Sequence, residues 1–149
     1  MGGLYPELRR RGCIVDALSL GVGARRARSF VAADAAQVAT QATALPALQQ
    51  SAASAAGYKV TDLEVRSTAH KITITVINSP LNAGEPAGRS NEASKIIHAL
   101  ETSIAARAEF EQVMMMHVDY VSRRGTKSKI VQGFDFNKAP SGSFVPHTT

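Results

Sequence analysis

The sequence predicts an α+β domain over residues 58–149, with a four-stranded, mainly antiparallel sheet, one long helix on one face and the order β-β-α-β-β. Three observations predict it. Four segments alternate apolar and polar residues with the period of a strand, and one apolar stripe at helical spacing lies between the second and third. Clusters of Gly, Pro and small polar residues separate these segments.

The first strand is carried by Leu63 and Val65, which alternate with Asp62, Glu64 and Arg66. After a short polar stretch, residues 70–77 place Ile72, Ile74 and Val76 on one side and Lys71, Thr73, Thr75 and Ile77 on the other. Two such runs joined by a short connection predict a hairpin. Residues 78–90, holding Pro80, Gly84, Pro86 and Gly88, are expected to be loop. A helix is expected to start at Ser90 or Asn91, both good caps, with Glu92 favoured by the helix dipole. Ala93, Ile96, Ile97, Leu100 and Ile104 form its buried stripe, and Lys95, His98 and Thr102 lie opposite.

Residues 113–121 are the third strand, with Met114, Met116, Val118 and Tyr120 in one row. The other row is Val113, Met115, His117, Asp119 and Val121. Residues 122–128 supply a turn around Gly125. Residues 129–137 form the last strand, setting Ile130, Phe134 and Phe136 against Val131, Gly133 and Asp135. Pro140, Gly142 and Pro146 are expected to break regular structure beyond it. One helix covers one face, so Thr73, Thr75, Met115, His117, Asp119, Val131 and Asp135 fall on the other. That mixed row suits a solvated face, one covered by the N-terminal segment, or one that meets a protein partner or a second copy in a homodimer.

The first 57 residues differ from the rest. They carry six Arg against three acids, a net +3, whereas residues 58–149 carry eleven cations against nine acids, a net +2. The basic excess is therefore weak support for a nucleic-acid surface on the domain. Arg9, Arg10 and Arg11, the apolar stretch 13–24 and the small residues Val22-Gly23-Ala24 outline an export signal, interrupted by Asp16. Cys13 follows Gly12 as in a lipoprotein cleavage site, although Arg10 and Arg11 stand where apolar residues belong. An Arg-rich organelle presequence, translated sequence ahead of the true start and a plain basic, disordered tail over residues 1–30 fit the same residues. Exported or periplasmic localisation is the expectation over cytoplasmic or organellar. Alanine supplies 12 of the 26 residues from 31 to 56, and residues 31–57 read as a linker, partly helical and partly disordered, whose helix ends at Pro46. No apolar run reaches the length of a membrane span. The single cysteine excludes an internal disulfide and a Cys-based zinc site.

His117 and Asp119 lie two apart on one strand and Asp135 on its neighbour, a set that could ligate a metal or act as an acid–base pair. Its plain reading is a row of cross-strand polar partners. His147 reaches that set only if the C-terminal segment folds back. Arg123, Arg124, Lys127 and Lys129 are candidates for anion binding at a basic hairpin tip, or a solvated turn that protects an edge. Residues 84–90 (G-E-P-A-G-R-S) match part of a phosphate loop, but the spacing is one short, Arg replaces Lys, and Glu85 would repel phosphate. Gly133-Phe134-Asp135-Phe136 partly resembles the aromatic strand of an RNA-recognition motif, with Asp135 where a small residue belongs and Gln132 where a cation does. Core packing of the two Phe is the competing reading. Met114, Met115 and Met116 alternate faces and read as gap fillers.

No nucleophile elbow, zinc-protease motif or Cys–His arrangement is present, and no cofactor is implied. The expectation is a small non-catalytic binding or accessory domain, of the bacterial cell envelope if exported. An anion- or nucleic-acid-binding module using the hairpin is the second reading, and a small enzyme or metal site using His117 and Asp119 the third.

Overall fold

The structure, a computed structural model, describes the backbone of residues 13–147 and the side chains of residues 35–147. The Arg9–Arg11 cluster of the expected export signal lies outside the described residues. The chain divides into two units, Met1–Ala36 and Gln37–Thr149. Of the first, the helical backbone from Cys13 onward is described. The second holds the sheet.

Helix α1 spans Cys13–Ala56. Strands β1 (Leu63–Ser67) and β2 (Lys71–Ile77) form the expected antiparallel hairpin, Leu63 facing Val76 and Ser67 facing Ile72. Helix α2 (Pro86–Ile104) then crosses to β3 (Met115–Arg124), which returns through a turn into β4 (Lys127–Lys138). A short β5 (Phe144–Pro146) closes one end. The sheet order is β1-β2-β3-β4-β5.

The architecture is α+β, and four features differ from the four-stranded expectation. The sheet has five strands and is mixed, because β2 and β3 pair parallel, Ile72 beside Met116 and Val76 beside Tyr120. A helix between two neighbouring strands carries the chain back to the end where it started, which makes such a pair parallel. The fifth strand lies in the segment expected to be irregular: Val145 pairs with Asn137 between Gly142 and Pro146, and a proline is tolerated at such an edge. Helix α2 begins at Pro86 rather than Ser90, since a proline at the first helical position lacks only an amide that no helix would use.

The fourth difference is α1. Helix continues through Pro46 and ends at Ala56, before Gly57 at φ +74°. Pro46 is exposed, so the carbonyl it leaves without an amide partner faces water. Ala44, Leu48 and Ala52 are buried in the same core as Ile74, Val76, Ile96, Leu100 and Val118. The segment read as a linker thus supplies part of the core, and two helices rather than one cover the inner sheet face. Ser51 and Ser103 join α1 to α2 by a 3.1 Å hydroxyl bond. Gln49 Nε2 donates to the carbonyls of Val60 and Leu63, tying the end of α1 to the start of β1. Gln41 Nε2 donates to Glu109 O at 2.8 Å below α2.

The inner face carries Ile72, Ile74, Val76, Met116, Val118, Tyr120 and Phe136 as expected, all buried. Two residues leave that row. Met114 precedes β3 and is exposed, and Ile130 is 62% exposed. A bulge between Tyr120 and Val121 shifts the β3–β4 register, so Val121 faces Ile130 while Tyr120 faces Gln132. One extra residue reverses the parity of everything beyond it, and Ile130 turns to the outer face.

Candidate functional site

The outer face of the sheet sets His117 beside Thr73 on one flank and Asp135 on the other. Its Nδ1 lies 2.6 Å from Asp135 Oδ1 and its Nε2 2.7 Å from Asp119 Oδ1. The two carboxylates therefore engage opposite edges of one imidazole, and both bonds are complete when both nitrogens carry protons. This geometry explains Gly133, which pairs with Asp119. A β-carbon there would lie 2.9 Å from Asp119 Oδ1 and 3.0 Å from His117 Cε1. The arrangement aligns three side chains across two strands. It does not converge their ligating atoms on one point, and among the described residues no group of three His, Cys, Asp or Glu is placed to hold a metal ion. The partners of His117 include no hydroxyl or thiol nucleophile. His147 is brought near by β5, but its amide donates to Asp135 O while its Nδ1 meets Asn137 Nδ2 at 3.1 Å.

The loop before α2 uses its arginine internally. Arg89 is buried, donating from Nη1 to Leu81 O at 2.7 Å and Gly84 O at 3.0 Å, and from Nε to Gln132 Oε1 at 2.8 Å. The guanidinium that a phosphate loop would offer outward is thus spent on carbonyls of its own loop. Its neighbour Glu92 accepts from Tyr58 Oη at 2.8 Å and Tyr120 Oη at 3.0 Å, and Tyr58 Oη also meets Ser79 Oγ at 2.6 Å. Burial, opposed by Ser79 and reinforced by Glu92, pushes the Tyr58 phenol up from 10.0 to about 12. Burial and the Glu92 charge raise Tyr120 further still. Sequence reasoning missed this polar cluster. The signal was available, since Arg89 stands four residues before Ala93 and extends the buried stripe of α2 by one turn.

Phe134 and Phe136 point into the helix-covered side. Phe136 is buried, and Phe134 meets Tyr120 edge to face at 6.0 Å. Neither ring is offered on the outer face, where an RNA-recognition strand displays them.

The hairpin separates the four basic candidates. Register places Arg123 beside Ser128, and Arg124 beside Lys127 with Ser122 beside Lys129. Alternation then puts Arg123 on one face of the ribbon and Arg124, Lys127 and Lys129 on the other. Arg123 is engaged, with Nη1 donating to Glu64 Oε1 at 3.0 Å and Nε to Ser128 Oγ at 3.2 Å. The other three, with Ser122 and Ser128, line an open hollow of about 540 Å³. No carboxylate lines it. A second hollow of about 380 Å³ lies between the end of α2 and β5, where the Phe144 amide donates to the Glu101 carboxylate and Lys138 Nζ to Glu111 O. No described helix is long and apolar enough to cross a membrane. Comparison with protein families, curated proteins and solved structures finds nothing that matches this chain.

Proposed function

We propose that this domain is a non-catalytic binding module whose ligand is anionic and is held at the β3–β4 hairpin. One observation carries the reading: Arg124, Lys127 and Lys129 share a hollow that no carboxylate lines, while Arg123 is neutralised by Glu64 on the opposite face. Cations that serve only solubility are scattered among acids; here three stand together, and their field adds. The non-catalytic part is supported by His117, whose nitrogens are both engaged by carboxylates with no nucleophile among the partners.

The test is binding of fluorescent polyglutamate to the full chain and to three variants. Arg124→Ser/Lys127→Ser/Lys129→Ser should lose at least about tenfold in affinity, or roughly 1.4 kcal/mol. Lys59→Ser/Arg66→Ser/Lys95→Ser makes the same change in net charge at exposed positions elsewhere and should lose much less. Arg123→Ser should bind as the parent does. Equal losses in the two triple variants would reduce the effect to net charge and overturn the site.

A further inference from the structure

The basic hollow opens beside a second feature that is independent of charge. Strand β5 covers only Phe136, Asn137 and Lys138 of β4, and one further bond, from the His147 amide to Asp135 O at 2.8 Å, continues its lane. Among the described residues no strand runs beside 127–134 of β4. Residues 127–131 are all exposed, Ile130 and Val131 among them.

The backbone of this edge has a readable phase. Lys138 gives its amide to Met114 O and so points toward β3, whereas Asp135 offers its carbonyl outward to His147. In an antiparallel ladder a residue's amide and carbonyl point the same way, and the direction repeats every second residue. Gly133 therefore presents both groups to the empty lane. A hollow of about 180 Å³ lies at this point, bounded by Ser90, Pro146, His147 and residues 133–136, Asp135 among them.

We infer that the anionic ligand is a polypeptide: an extended acidic segment that adds to the free edge of β4 as a further strand, in the lane β5 leaves open. The inference rests on the hairpin being an anion site and names what fills it. Strand addition draws affinity from main-chain hydrogen bonds and selectivity from alternate side chains. Lys127 and Lys129 are two apart on one face, so acidic residues two apart on the incoming strand meet both, with Arg124 beside Lys127. Ile130 and Val131 supply the apolar contact between the charged end and Gly133. A nucleic acid fits less well. No Phe or Tyr side chain is exposed among the described residues to stack a base.

The experiment measures fluorescence anisotropy of the full chain with a short peptide of alternating glutamate and valine. Parallel probes are the same peptide with alternate amides N-methylated, its lysine–valine counterpart, an oligothymidylate and inorganic phosphate. The expected result is binding of the acidic peptide, with at least about a tenfold loss on N-methylation and a similar loss for Lys127→Glu/Lys129→Glu. Amide exchange at Gly133 should slow in the complex. Equal binding of the methylated and parent peptides, both weakened by the charge reversal, would overturn strand addition and leave the anion site standing. Tighter binding of oligothymidylate than of the peptide would make the partner a nucleic acid and overturn the inference. So would sedimentation as a dimer that excludes the peptide, because a second copy would then own the edge. If charge reversal changes the affinity for none of these probes, the anion site itself fails.

Discussion

Gly133 and His117 occupy one space: a β-carbon on Gly133 would lie 3.1 Å from Nε2 and 3.0 Å from Cε1 of the imidazole. The ring lies diagonally across the β3–β4 pair, two rungs from Gly133, and reaches Asp119 on its own strand and Asp135 opposite. Diagonal neighbours on one sheet face are within reach of a ring, and here the reach depends on a missing side chain.

Gly133→Ala should therefore destabilise the domain by about 1–3 kcal/mol, the usual range for overpacking. The cost should shrink in a His117→Ala background. There only Asp119 Oδ1, 2.9 Å from the β-carbon, stands in the way, against the preference for alanine over glycine within a strand of roughly 0.5–1 kcal/mol. Urea denaturation of the four proteins closes the double-mutant cycle. An equal cost in both backgrounds would show that the imidazole is not what Gly133 accommodates.

Leu48 and Leu100 are both fully buried in one core, from two helices. Each change to alanine should cost about 2–5 kcal/mol. Thr102→Ala, on the exposed side of α2, should cost little, since its hydroxyl only bonds back to His98 O. A chain beginning at Tyr58 lacks Ala44, Leu48 and Ala52 and should lose its cooperative thermal transition. A sharp melt in that truncation would mean α1 merely rests on a complete domain.

What could be read from the residues was whatever repeats strictly. The β1–β2 hairpin and the stripe from Ala93 to Ile104 follow periods of two and 3.6, and both stand as expected. The role of α1 was hidden because its buried side is built of Ala44, Leu48 and Ala52 in a segment where alanine is everywhere. A small-residue stripe packs closely yet contrasts weakly with an alanine-rich exposed side. The turned Ile130 was hidden for a different reason. A single-residue bulge leaves no mark on composition, and the same alternation read without it puts Ile130 with Phe134 and Phe136. For the site, the four hairpin cations were visible, but Glu64 is far from Arg123 in sequence and only the sheet order joins them.

The Tyr58–Glu92–Tyr120 cluster makes stability sensitive to alkali. The fold holds the Tyr58 phenol neutral by burial and by Glu92, raising it from 10.0 to about 12, so the folded chain binds that proton more tightly than the unfolded one. Stability from this source is complete below pH about 10 and falls as pH rises through about 12. Phenolate absorbance, with Tyr58→Phe to assign the signal, should show Tyr58 ionising late. Glu92→Gln should move it part of the way back, since burial remains. Ionisation near pH 10 in the intact fold would contradict this cluster.

Arg89 is the buried cation whose removal should cost most for the least visible reason. It is 6% exposed, and its hydrogen-bond acceptors are neutral: the carbonyls of Leu81, Asn82 and Gly84 and the side-chain oxygen of Gln132. These groups come from the loop before α2 and from β4, so one planar fork fastens three segments of the domain. Arg89→Ala leaves carbonyls without donors, at about 1–3 kcal/mol for each that water cannot reach. A total of roughly 2–4 kcal/mol is expected. Arg89→Met keeps most of the packed volume while removing every donor, and should recover only the packing share of that loss. Arg89→Lys supplies a charge but not the fork, and one ammonium cannot serve both Gln132 and the loop carbonyls. It should fall between the parent and alanine. Arg123→Ala, a half-exposed ion pair with Glu64, should by contrast change stability by no more than about 1 kcal/mol. Urea midpoints for the four variants test the ordering. If Arg89→Met equals the parent, the buried guanidinium contributes volume alone, and the bonds to Leu81, Gly84 and Gln132 do not hold the loop.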